Sequence, residues 1–269
     1  MEQTLILLNN ANELCENFNS SDIDLRLNIV KDPTKIFEFY KTYNGIKEFL
    51  YIAPKDEIQD AIESGSIFLG VYLKDELGGI VKLAQVKQPY PFFRAPKTMP
   101  QNGIYYGCSG LYVHEKFRGK GMSSILLDAS TKLAEMSGAS GIYADFDYRN
   151  IASMNLISKR YDLIGFTDGR NGSPDEATIY STFFKDFTNC GENVSGLDIC
   201  FDSSFDHARD TLEKTMQEVG KSSIYRVDYC GGYNEIACFD KPYYFESVKI
   251  SHKKDMTLCR EIKEINKNT

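Results

Sequence analysis

The segment Leu111-Tyr-Val-His-Glu-Lys-Phe-Arg-Gly-Lys-Gly-Met-Ser-Ser-Ile-Leu-Leu constrains this chain more than any other. It runs from a β-rich stretch, through a turn with glycines at 119 and 121, into a run with helical periodicity. The glycines let the backbone approach a ligand closely. The first amides of the following helix have no partner inside it and lie at the positive end of its dipole, a place that suits a phosphate or pyrophosphate. Arg118 and Lys120 add two cations there, in a chain whose formal net charge is -7. The turn has neither the Gly-Lys-Ser/Thr ending of a Walker loop nor the third glycine of a dinucleotide fingerprint, so both are excluded by spacing.

Around this turn, strand and helix patterns alternate. Residues 22–30 read as a half-buried strand with Ile23, Leu25, Leu27 and Ile29 on one face. Residues 33–50 and 55–64 read as helices, the first with Ile36, Phe37, Tyr40, Tyr43 and Ile46 on its inner side. Residues 66–73 and 79–86 read as an antiparallel hairpin closed by a charged loop over 74–78. The stretch 88–101 holds four prolines and cannot carry regular structure; it reads as an apolar lid or as a plain loop. A strand over 103–113, a helix over 121–136, a strand over 141–148 and a helix over 151–161 follow. Short strands over 163–166 and 176–184 flank the turn-rich residues 168–174.

Beyond about residue 190 the pattern starts afresh. Phe205, Ala208, Leu212, Met216 and Val219 form the stripe of a helix capped by Ser204 and ended by Gly220, and strands are expected over 222–229, 233–239 and 243–250. The expected organisation is an N-terminal segment 1–21, a mixed α/β domain 22–187 and a C-terminal α+β extension 188–269. An extension of that size buries too little surface to stand alone, so it is expected to pack on the first domain or on a second copy of the chain. Tyr225, Tyr229, Tyr233, Tyr243 and Tyr244 suit an acceptor pocket, a dimer seam or the extension's own core.

Arg118, Gly121 and Ser123 resemble the Arg/Gln-x-x-Gly-x-Gly/Ala motif of the GCN5-related N-acetyltransferases, the GNAT family, with serine in the last small position. The preceding Leu-Tyr-Val-His-Glu-Lys-Phe-Arg is equally characteristic, and the element order over residues 22–184 is similar to that family's. The resemblance implies an α+β acyl-CoA N-acyltransferase fold with a mixed sheet, acetyl-CoA as cofactor, and acetyl transfer to a primary amine of a small molecule or peptide. It implies that Arg118, Gly119, Lys120, Gly121, Met122, Ser123 and Ser124 hold the CoA pyrophosphate, largely through amides. It also implies that the backbone of Leu111, Tyr112 and Val113 meets the pantetheine arm, the Val113 amide polarising the thioester carbonyl in a gap between this strand and the next.

Asn150, with Ser153, resembles the family's Asn-x-Ala-Ser segment and implies a cofactor contact; equally, Asn150 reads as the cap of the helix after it. Tyr161, spaced from Phe166 as in the family, implies a general acid, whereas an alignment anchored on Asn150 puts Ile157 there and makes Tyr161 a core residue. No glutamate stands on the strand 103–113, so Asp145, Asp147 or water relays past Tyr105, Cys108 or Ser109 are the candidate bases. Cys108 is not expected to act as nucleophile, since His114 lies beyond its reach along a strand. Direct attack by the amine remains. Two alternatives belong to other classes: a catalytically silent acyl-CoA-binding module, and a protein lysine or N-terminal acetyltransferase.

The acidic balance offers no field for nucleic acid or an anionic membrane. The longest apolar run near the start, Leu5 to Leu8, is too short for a signal-peptide core, and no stretch is long enough to span a bilayer, so a cytoplasmic location is expected. Seven scattered cysteines with no Cys-x-x-Cys pair and only three histidines argue against zinc or a disulfide framework. A homodimer is compatible with all of this.

Overall fold

The computed structural model describes residues 2–19, 24–46, 49–86, 103–170, 178–188, 192–194, 196–201, 208, 210–211, 213–214, 217–218, 222–229, 232–239, 243–245 and 248–252. In chain order the elements begin with α1 (Glu2–Asn19), β1 (Leu25–Ile29), α2 (Pro33–Tyr40), α3 (Lys55–Glu63), β2 (Ile67–Leu73) and β3 (Glu76–Val86). They continue with β4 (Tyr105–Val113), α4 (Met122–Met136), β5 (Gly141–Asp147), α5 (Ile151–Ile157), β6 (Asp162–Arg170) and β7 (Thr178–Asp186). Among the described residues after these lie the strands β8 (Glu192–Val194), β9 (Leu197–Phe201), β10 (Ser222–Tyr229), β11 (Gly232–Phe239), β12 (Tyr243–Phe245) and β13 (Val248–His252). By contacts the chain divides into two compact units, Met1–Lys87 with Pro100–Ala144 and Asp186–Thr188, and Gln88–Met99 with Asp145–Lys185 and Asn189–Thr269.

In the first unit the strand order is β1-β2-β3-β4-β5, antiparallel except for the β4–β5 pair. Ile80 of β3 and Phe68 of β2 turn to one face, where they join Ile36, Phe39, Tyr40, Ile58 and Tyr112 in a buried cluster under α2 and α3. Gly79, Val81 and Leu83 turn to the other face; a Cβ on Gly79 would stand 3.1 Å from Leu126 of α4. Both faces are covered, which is why β2 and β3 read as nearly continuous apolar runs.

α1 occupies what the sequence shows only as an N-terminal segment. Its Leu7, Ala11 and Cys15 are buried, and Asn10 Nδ2 donates to the Met136 carbonyl and to Ser137 Oγ at the end of α4, at 3.0 and 3.1 Å. The Asn19 amide exchanges two 2.9 Å hydrogen bonds with the backbone of Leu27, extending the ladder at an edge strand.

The helix expected over 33–50 stops at Tyr40. Lys41 and Thr42 turn out of it, Thr42 Oγ1 donating to the Phe39 carbonyl at 2.7 Å, before Asn44 and Gly45. The hairpin closes on Lys74 and Asp75 alone, with Lys74 at φ +57°, and the strand resumes at Glu76, so the expected five-residue loop is a two-residue turn. α5 ends at Ile157, short of the expected Tyr161.

In the second unit the strand order is β7-β6-β11-β10. β6 runs on to Arg170 through residues expected to turn, because it has partners on both sides: β7 and, from Gly165 to Arg170, β11. The strand expected over 243–250 is two, β12 and β13, which pair in parallel with β8 and β9. Asn155 of α5 fastens β13, its side chain meeting the Ile250 carbonyl at 3.1 Å and amide at 3.3 Å. Described positions between 208 and 218 are helical as expected, with Ala208 buried; the caps Ser204 and Gly220 lie outside the described residues, as does the expected lid over 88–101. Among the described residues no helix is long and apolar enough to cross a membrane.

Candidate active site

β4 is paired with β5 only at Tyr105↔Gly141, Tyr106↔Ile142 and Gly107↔Tyr143, yet it continues to Val113. On its other side it stays with β3, and there the register shifts: Ile80 faces Tyr112 but Lys82 faces Ser109, so Val81 stands against both Gly110 and Leu111. This is a β-bulge with its glycine, Gly110, at φ +62°. Buried Tyr40 of α2 donates its hydroxyl to the Gly110 carbonyl at 2.8 Å, and burial pushes the Tyr40 pKa up, so the phenol stays protonated and donating. A Cβ on Gly110 would stand 2.6 Å from that hydroxyl. Past the bulge, the His114 amide donates to the Gly78 carbonyl at 3.0 Å. Amides alternate along a strand, so the Val113 N–H turns away from β3, toward the side where β4 has lost its partner.

Leu111 and Val113 are half-buried, while Tyr112 belongs to the core, 5.3 Å from the Phe39 ring and 5.4 Å from that of Tyr43, with its hydroxyl 3.1 Å from Thr42 Oγ1. A single 3₁₀ turn, Glu115–Phe117, leads from β4 to the glycines. Gly119 and Gly121 adopt φ +77° and +76°, and a Cβ on either would meet no protein atom within 4 Å. The first helical hydrogen bond of α4 runs from the Ile125 amide to the Gly121 carbonyl, so the amides of Met122, Ser123 and Ser124 come before it and make none in the helix. Gly121 is the cap position and supplies no side chain to satisfy them. Buried Met122 and Phe117 hold the turn from beneath. Arg118 and Lys120 are exposed, Lys120 lying over the Phe117 ring at 5.4 Å, whereas Lys116 is engaged by Glu76. The result is a row of amides with open space in front and two available cations beside it, which fits a polyphosphate.

Of the candidate bases, Asp147 is 3% exposed and its carboxylate is held by Arg149 through Nε at 2.9 Å, Nη2 at 2.6 Å and the backbone amide at 2.9 Å. Asp145 differs: it is exposed, yet protein surrounds its carboxyl closely enough that desolvation pushes the pKa up to about 6. A 2.6 Å hydrogen bond from Thr182 Oγ1 pulls the other way. Exposure and a burial-driven rise oppose each other; the upward direction is what a recessed but water-reached carboxyl shows, and solvent limits its size. Asn150 Oδ1 accepts from the Ser153 amide at 3.2 Å and so caps α5, and Tyr161, 2% exposed, lies in the core past the end of that helix. Cys108 is a buried neutral thiol whose pKa burial pushes up to about 12.

The acetyltransferase (GNAT) family matches residues 34–161. This part of the chain belongs to the GNAT acetyltransferase family. The GNAT domain is thus of the acyltransferase class and has the acyl-CoA N-acyltransferase fold, with the mixed sheet and helices expected. No curated protein matches the chain. Solved structures similar to it include Arabidopsis thaliana NAA60 in complex with acetyl-CoA, at 13% identity and TM-score 0.49, covering 61% of this chain and 99% of that one. An N-acetyltransferase from Staphylococcus aureus Mu50 is similar at 14% identity and TM-score 0.49, covering 61% and 99%. YncA from Salmonella typhimurium, solved with its cofactor acetyl-CoA, is similar at 16% identity and TM-score 0.47, covering 61% and 94%.

Two residues that shape the GNAT domain's site were missed from sequence, Gly110 and Tyr40. An isolated glycine in a strand pattern is a bulge signal and was there to be read. Tyr40 carried none, since a tyrosine on the inner face of a helix reads simply as core.

Proposed function

We propose that the GNAT domain transfers the acetyl group of acetyl-CoA to a primary amine of a small molecule or peptide by direct attack. The observation that carries this reading is the row of unengaged amides from Met122 to Ser124 behind Gly119 and Gly121, whose positive φ values aim the backbone at open space. These amides, with Arg118 and Lys120, would hold the pyrophosphate, and the unpaired edge of β4 at Leu111 and Val113 would take the pantetheine as an added strand. The Val113 N–H is the donor to the carbonyl oxygen as charge develops on it. Acetyl-CoA supplies an activated acyl group: the C–N bond forms as the C–S bond breaks, the sulfur leaves with the electron pair and is protonated, and one proton is released overall from the ammonium. Asp145, whose pKa desolvation raises to about 6, is the candidate base for that proton, directly or through water.

The test is calorimetry with acetyl-CoA followed by thiol release in the presence of an amine panel. Binding by the parent, loss of binding in Gly121→Val and amine-dependent thiol release are expected. Undiminished binding in a folded Gly121→Val variant would place the cofactor elsewhere, and binding without release to any amine would make the domain a silent acyl-CoA module.

A further inference from the structure

On the face of β3 that carries Ile80 and the apolar cluster stands a cation, Lys82. Its neighbour on β2 is Phe68 and on β4 is Ser109, so the half-buried lysine comes out at the edge of the core beneath α3. Burial pulls its pKa below the ordinary lysine value, and the nearby Glu57 carboxylate offsets only part of that. Among the described residues the Lys82 ammonium makes no hydrogen bond or ion pair; the nearby Glu57 carboxylate accepts instead from the Tyr51 hydroxyl, through Oε2 at 2.8 Å. Tyr51 is 70% exposed, and Glu57 and Ser109 are exposed too, so water and solutes reach this patch.

A half-desolvated cation with no direct counter-ion favours an incoming anion, since the ion pair restores what burial removed. The adjacent negative charge of Glu57 opposes any anion in proportion to its charge, so a singly charged group is favoured over a polyanion. One ammonium beside one hydroxyl matches the two oxygens of a carboxylate. Ser109 directly precedes Gly110 of the bulge, and four residues of extended chain, at most about 14 Å, separate it from Val113. We propose that Lys82 and Ser109, with Tyr51 and Glu57 at their margin, form an acceptor subsite for a carboxylate, so that the amine acetylated by this domain belongs to an amino acid with the two groups several bonds apart. The inference rests on the transferase reading for the word acceptor, but not for the carboxylate site itself.

The experiment compares β-alanine, γ-aminobutyrate, 6-aminohexanoate and lysine with their carboxamides as acceptors, by thiol release at saturating acetyl-CoA. A preference for the acids of about tenfold or more in kcat/KM is expected, as for a hydrogen-bonded charge. Lys82→Gln should erase it by raising KM for the acids about tenfold to a hundredfold while leaving the KM for acetyl-CoA and the melting temperature unchanged; Lys82→Arg should retain most of it. Equal use of acids and amides by the parent, or an equal loss on both in Lys82→Gln, overturns the proposal. If no amine is acetylated, the transferase reading fails separately, and calorimetry of the same acids on CoA-saturated protein decides the site. Binding that Lys82→Gln abolishes upholds it; no binding by the parent overturns it.

Discussion

At the scale of single residues, Gly121 and Asp145 carry the sharpest expectations. Gly121 holds φ +76° with empty space ahead of it, so an alanine there meets no protein atom and its cost to the fold is conformational, about 1 to 2 kcal/mol for a left-handed L-residue. Its cost to acetyl-CoA binding is larger, because the methyl enters the space assigned to the pyrophosphate. Thermal melting and calorimetry on Gly121→Ala should therefore separate, with a modest loss of stability and a severe loss of affinity. Asp145 has a pKa raised above its ordinary 3.8 to about 6. As a base it works when ionised, so kcat/KM should climb as pH rises through about 6, and Asp145→Asn should remove that limb from the profile. The stability sign is opposite: with the folded pKa raised, the contribution is present below about 4 and is lost as pH rises through 6. Asp145→Asn should consequently melt no lower than the parent at neutral pH. A large fall in melting temperature there would mean that the charged form is held by contacts beyond Thr182.

At the scale of elements, the device that prepares β4 is the bulge at Gly110, and α2 helps to hold it there. Tyr40 is buried and donates to the Gly110 carbonyl, so Tyr40→Phe leaves a backbone acceptor without its donor while keeping the ring in the core. The expected loss is about 1 to 3 kcal/mol, read as a lower denaturation midpoint with unchanged slope. A relaxed bulge would also re-aim the Val113 N–H, so on the proposed reading turnover should fall while acetyl-CoA affinity, assigned there mainly to the α4 amides, changes little. Equal losses in both would show Tyr40 acting only through global stability. α1 supports the same sheet from its other side, since Asn10 satisfies a carbonyl at the end of α4 and Asn19 continues the ladder on β1. Asn10→Ala should cost about 1 kcal/mol in chemical denaturation.

At the scale of the molecule, the C-terminal residues are built into a sheet. β11 pairs with β6 over six residues of register from Gly165 to Arg170, and Asn155 of α5 grips β13. Ending the chain after residue 187 would leave β6 with an unpaired edge, and such edges recruit other chains. The shortened protein should melt at lower temperature and self-associate, as scanning calorimetry and light scattering would record. A truncated chain that stays monomeric with an unchanged melting temperature would show that the β6–β11 ladder contributes nothing to the second unit.

How much of this was legible from the amino acids alone follows from the range of the forces involved. The glycine turn from Arg118 to Ser124, the helix that follows it and the family they mark could be read, because glycine permissiveness and unsatisfied helix amides are local consequences of local sequence. The strands and helices around it were legible for the same reason, through side-chain periodicity. What carried β6 on to Arg170 and split the last expected strand into β12 and β13 depended on partners far along the chain: β11 for β6, and β8 and β9 for the two short strands. The raised pKa of Asp145, the engagement of Asp147 by Arg149 and the partly desolvated charge of Lys82 belong to that second kind. Desolvation and pairing are set by what the folded chain brings around a group, so a sequence can name the candidate carboxylates and cations while only tertiary packing decides which of them are free to act.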